Sequence, residues 1–107
     1  MSLDIHHAPP YYAVIFTSTQ TDFLSGYEEM AHEMELLAKI QPGYLGMMSA
    51  RSQVGITVSY WATLRDIAHW KSQADHLLAQ QKGKSDWYKR YSVQICKVER
   101  AYSFDKE

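Results

Sequence analysis

The chain has 107 residues, of which 46% are apolar, with a net charge of −1 and a pI near 6.5. That bounds it to one domain with a single modest core, and argues against both intrinsic disorder and a generic binder of phosphate backbones. The single cysteine, Cys96, excludes an intrachain disulfide and any site built on a cysteine pair.

The opening MSLDIHHAPP lacks the apolar run of a signal peptide, and Pro9-Pro10 block helix and ladder pairing. Residues 1–10 therefore read as a flexible start. Tyr11 to Ser18, YYAVIFTS, is rich in β-formers and predicts the first strand. Ser25 with Glu28 forms an S-x-x-E capping box, starting a helix that runs to about Lys39. Its stripe of Tyr27, Met30, Ala31, Met34, Leu37 and Ala38 has helical spacing, and Gln41-Pro42-Gly43 ends it.

Tyr44 to Arg51 predicts a second strand, turning through residues 52–55 into a third. In GITVSYW, Ile56, Val58 and Tyr60 alternate with Thr57, Ser59 and Trp61, the period of a strand. From Thr63 the period becomes helical, through Leu64, Ile67, Ala68 and on to Leu77 and Leu78. Thr63 and Asp66 resemble a capping box with aspartate in the glutamate position. Gly83 marks the stop. Ser85 to Arg90 reads as a helical turn carrying Trp87, and Tyr91 to Tyr102 as the last strand. Its apolar phase changes between Ile95 and Cys96, which predicts a bulge or a shift between partners.

The order β-α-β-β-α-β predicts an α+β fold, the ferredoxin-like split βαβ with a four-stranded antiparallel sheet and both helices on one face. No helix is left to cover the other face. Apolar and aromatic residues on both faces of the strands then call for a homodimer through the helix-free sheet face. No run approaches the roughly 20 apolar residues of a membrane span, so no membrane partner is expected. Lys82, Lys84, Lys89 and Arg90 are the only loose basic cluster and read as a solvated face, with no nucleic-acid partner. A cytoplasmic location is the expectation.

With this order of elements, several runs carry a resemblance: PGYLG at 42–46, GITVSYW at 55–61, Trp70 with His76, WYKRY at 87–91 and VERAYSF at 98–104. Together they resemble the antibiotic biosynthesis monooxygenase (ABM) superfamily of dimeric α/β-barrel proteins, over about residues 11–104, with 105–107 as a tail. The resemblance implies a dimeric barrel. It also implies a monooxygenase-like enzyme acting on an aromatic or hydrophobic small molecule, or a non-catalytic small-molecule-binding or stress-response protein of the same fold. The haem-degrading relatives carry an axial histidine about ten residues after the helical tryptophan; here that position is Gln80, followed by Gln81. A neutral amide is a poor haem ligand beside imidazole, so haem is disfavoured.

Eight Tyr and three Trp against three Phe suit interfaces and aromatic-lined pockets. Trp61, Trp70 and Trp87 read as core residues that can also form a pocket wall, and Tyr44 stands at a strand entry where a phenol can meet a ligand. Trp70 continues the Ile67, Ala74, Leu77 stripe and is expected to face the sheet. His76 is the acid–base candidate, since imidazole titrates near neutrality. His69 and His76 share a helix face but stand about 10 Å apart along it, too far for one metal ion. No nucleophile elbow, phosphate-binding glycine loop or Ser/His/Asp arrangement occurs, so no cofactor and no metal are predicted.

Overall fold

The computed structural model describes residues 5–81 and 84–106, leaving out the side chains of 79–81, 84 and 85. Lys82 and Gly83, and the side chains of Gln80 and Gln81, thus lie outside the described residues. Strand β1 spans Tyr11–Gln20, helix α1 Tyr27–Lys39, β2 Tyr44–Arg51, β3 Gly55–Trp61, helix α2 Leu64–Gln81, a short α3 Lys84–Trp87, and β4 Tyr88–Val98. The sheet is antiparallel with strand order β2-β3-β1-β4. This is the ferredoxin-like fold that the order of elements predicts.

Strand register assigns each side chain a face. Tyr12 opposes Trp61, Val14 opposes Ser59, and Ser18 opposes Gly55. These residues share the helix-covered face, where Ala38, Trp61, Ile67 and Trp70 form the buried core. Trp61 is wholly buried and stacks on Trp70 at 5.5 Å and 22°, while Tyr44 meets it edge-on at 5.7 Å. Its indole N–H donates to Ser59 Oγ at 2.9 Å, so the one polar atom of this side chain is satisfied in the core.

Helix α2 starts as its sequence predicts. The Asp66 N–H donates to Thr63 Oγ1 at 3.0 Å, and that hydroxyl donates to Asp66 Oδ2 at 2.8 Å. Helix α1 does not. Its N-cap is Gly26, in a left-handed conformation at φ 84°, and no side chain caps it. The predicted Ser25 cap is absent; the Ser25 carbonyl instead accepts the Trp87 indole N–H at 2.9 Å. A tertiary hydrogen bond has fixed the entry to the helix in place of a local one.

Both predicted bounds of the last strand also move, and it ends at Val98 rather than Tyr102. Strand β4 begins at Tyr88 rather than Tyr91, because the backbone pairs with β1 as far as Gln20. Its register is continuous across Ile95 and Cys96, and the irregularity falls between Thr19 and Gln20. The apolar phase change has a different origin. Tyr91, Val93 and Ile95 lie on the helix side of an edge strand and are 45–52% exposed.

The helix-free face carries Ile15, Val58 and Tyr60, with Ile56 46% exposed and Met48 38% exposed. Part of the N-terminal segment reaches this face: His7 meets the Tyr11 ring at 6.2 Å, and a Cβ on Gly46 would touch Ile5 Cδ1.

Candidate functional site

One row of residues crosses the sheet at the end where α1 begins. Arg51 ends β2, opposite Gly55 on β3, which is opposite Ser18 on β1. All three face the helices. The Arg51 side chain lies across Gly55, where a Cβ would fall within the guanidinium. It thereby reaches over a whole strand and donates from Nη2 to the Oγ of Ser18, which is 2% exposed. Its guanidinium carbon stands 5.8 Å from the centre of the Tyr27 ring, a cation–π distance. A glycine notch, a buried hydroxyl and an aromatic face thus fix one cation.

Beside it is a cleft of about 390 Å³, lined by Gln20, Leu24, Gly26, Tyr27, Glu28, Glu29 and Arg51. That volume suits a small organic ligand. Aromatic rings back its wall. Tyr27 meets Trp87 and Tyr88 edge-on, each at 5.9 Å, and Phe16 stacks on Tyr91 at 5.5 Å. Trp87 is 2% exposed, and its ring lies 3.6 Å from where a Gly26 Cβ would stand. The short helix α3 is pinned there, because the Thr21 N–H donates to the Trp87 carbonyl at 2.9 Å and the Thr21 hydroxyl donates to that of Asp86.

Burial, then the Tyr27 phenol and the hydrogen bond with it, hold the Tyr88 phenol well above its ordinary pKa, against a lowering by Arg51. Tyr88 is therefore neutral at physiological pH and orients Tyr27 rather than accepting protons. The linked stability follows from the sign of the shift: it is complete below about pH 10 and is lost as pH rises through the folded-state value. Denaturant melts are accordingly expected to weaken above about pH 10, less steeply in Tyr88→Phe. Equal pH slopes in the two proteins would contradict this.

The sequence candidates separate into two places. Trp61 and Trp70 belong to the buried core at one end of the sheet, and the half-buried Tyr44 packs against it, with its phenol raised mainly by burial. Trp87 stands at the cleft. His76 is exposed on α2 and is not among the lining residues of the cleft. Among the described residues no group of three His, Cys, Asp or Glu is placed to hold a metal ion, and no helix is long and apolar enough to cross a membrane. Tyr27, Arg51 and the glutamates were not candidates in the sequence reading. The available signal was Arg51 and Gly55 flanking a tight turn, where cross-strand pairing puts them opposite each other.

No protein-family model matches the chain. It is 46% identical over 100 residues to the uncharacterized protein YqjZ of Bacillus subtilis (strain 168), covering 92% of this chain and 88% of the relative. The chain belongs to the YqjZ family. Among solved structures, SnoaB, a cofactor-independent oxygenase from Streptomyces nogalater, superposes with a TM-score of 0.66 at 9% identity, over 92% of this chain and 100% of that one. A candidate antibiotic biosynthesis monooxygenase from Nitrosomonas europaea gives a TM-score of 0.65 at 18% identity, over 90% and 96% of the two chains. This YqjZ-family chain therefore has the ABM-type fold that its sequence resembles. At such identities the likeness is one of fold.

Proposed function

We propose that this YqjZ-family protein is a monooxygenase-like enzyme that acts, without a cofactor, on an aromatic or hydrophobic small molecule bound in the cleft beside α1. The observation that carries the reading is the 390 Å³ cleft with a fixed cation on its wall and aromatic rings behind it. The fold it shares with a cofactor-independent oxygenase supports it.

The chemistry is that of an electron-rich substrate such as an anthrone. Loss of a proton from its activated methylene gives a carbanion that reduces dioxygen directly. The methylene becomes a carbonyl holding one oxygen atom; the other leaves as water, and the substrate supplies all four electrons. Arg51 and the Tyr27 phenol stabilise the substrate oxyanion, where a fixed cation and a donor outperform water. Glu28 and Glu29 are the carboxyl groups lining the cleft and are placed to accept the proton.

The acid–base role read at His76 concerns a residue on the exposed side of α2, so it requires a substrate that reaches that side. Loss of turnover in His76→Ala would assign proton transfer to α2, and unchanged turnover would assign it to the cleft. The second reading, a non-catalytic binder of the same kind of molecule, is favoured by the absence of any histidine from the cleft lining. Oxygen uptake by the purified protein separates the two. The enzyme consumes one dioxygen per anthrone or quinol above the rate of autoxidation, and the binder consumes none.

The proposal includes a homodimer through the helix-free sheet face. Its support is the exposed Ile56 and Met48, and the tail aromatics Tyr102 and Phe104, 97% and 87% exposed and with no cover from their own chain.

A further inference from the structure

Among the described residues Arg51 is a cation without an acid partner. The described residues contain two ion pairs, Lys39 with Glu35 at 3.3 Å and Lys71 with Asp75 at 2.6 Å, each between neighbours on one helix. Arg51 is in neither, and no described carboxylate lies within ion-pair distance of it. Of the five N–H donors of a guanidinium, one is given to Ser18 Oγ. The group is nevertheless held from three directions, by Ser18, by the Tyr27 ring and by the open backbone of Gly55. A surface arginine placed only for solubility needs none of these supports. An arginine that must present its remaining N–H groups to a ligand in one orientation needs all of them, because pre-organisation removes the entropy cost of binding.

We propose that the cleft binds a flat aromatic anion, an aryl carboxylate or an acidic phenol, whose negative group pairs with Arg51 while its ring lies against Tyr27 and Leu24. This deepens the reading under Proposed function, on which it rests, by naming the charge class of the substrate. Guanidinium and carboxylate match as a bidentate pair, and a ring beside Tyr27 extends an aromatic wall already backed by Trp87. Glu28 and Glu29 also line the cleft. They and Arg51 are all exposed, so solvent and salt screen each of them, but the guanidinium is in addition held by Ser18 and the Tyr27 ring. The two glutamates oppose a second negative charge on the resting ligand, so it binds as a monoanion. A proton passed from it to one of them leaves the net charge of the cleft unchanged. A cationic ligand drawn by the two glutamates is the competing arrangement.

The test is calorimetric titration of the full chain, under nitrogen, with 1-hydroxy-2-naphthoate, with its neutral methyl ester, and with 1-naphthylmethylamine. The acid is expected to bind at least tenfold more tightly than the ester, with a gap that narrows as salt is added. Arg51→Gln is expected to weaken the acid at least tenfold and leave the ester unchanged, and Arg51→Lys to recover part of the loss. Because the acid-to-ester ratio is read on the wild-type protein, misfolding of a variant cannot hide the answer. Equal affinities for acid and ester, tighter binding of the amine, or no binding of any of the three overturns the proposal. An Arg51-dependent preference for the acid in a protein that consumes no oxygen leaves this inference standing and removes the oxygenase. Oxygen uptake with no preference for the acid does the reverse.

Discussion

Replacing Trp61 with alanine is expected to remove about 3–5 kcal/mol of stability, the usual cost of deleting a large aromatic from a packed core. Trp61 is the largest fully buried side chain and joins every layer around it. It is edge-on to Tyr44 of β2, stacked on Trp70 of α2, and hydrogen-bonded to Ser59 on its own strand. Domains of this size are stable by only about 5–15 kcal/mol, so the loss takes a large share of the total. It should lower the melting temperature by roughly 12–40 °C, at about 4–8 °C per kcal/mol. Trp61→Phe should cost less, about 1–3 kcal/mol, for the lost indole hydrogen bond and partial cavity. Urea melts followed by circular dichroism check both. A Trp61→Ala protein within 1 kcal/mol of the parent, on a scale where buried Trp deletions cost about 3–5, would mean the core collapses around the gap.

The second large effect is on assembly. Val58 lies on the helix-free face, paired with Ile15 of β1, between the exposed Ile56 and the half-buried Tyr60. Arginine there would bury an unpaired charge in the proposed interface. Val58→Arg is expected to weaken dimerisation more than a hundredfold, about 3 kcal/mol. The helices and sheet should be intact, because the helix-covered core lies on the other face. Sedimentation at micromolar concentration should give a dimer for the parent and a monomer for the variant. A monomeric parent removes the dimer altogether, and a dimeric variant moves the interface elsewhere, to the edge of β4 or to the Tyr102–Phe104 tail.

What the sequence made legible was governed by short-range rules. The change from period two to helical spacing after Trp61 located β3 and α2, and the Thr63–Asp66 pair marked the helix start because both partners lie within one turn. The Trp70 stripe was readable for the same reason. The readings that failed depended on partners far away in the chain. Ser25 has the composition of a cap, yet its carbonyl is claimed by Trp87, 62 residues on. The start of β4 was set by the length of β1, and its apolar phase by an edge position that no local pattern encodes.

The candidate site shows the same division. The tryptophans were conspicuous by type, and two of the three belong to the buried core. Arg51 is an ordinary residue by composition. It becomes distinctive only when the β2–β3 turn places it over Gly55 and within reach of Ser18, 33 residues away. His76 was singled out as an imidazole on a helix of the resembled family, and helical spacing alone does not say which way it faces; it stands on the exposed side of α2.

The central claim, that this YqjZ-family protein oxygenates an aromatic small molecule at the cleft beside α1, is tested most directly with isotopically labelled dioxygen and an anthrone bearing an acidic group. The purified, cofactor-free protein is predicted to place one labelled oxygen atom in each product molecule, and Arg51→Gln to slow this at least tenfold. Product formed no faster than in buffer, or formed at the parent rate by Arg51→Gln, would contradict it.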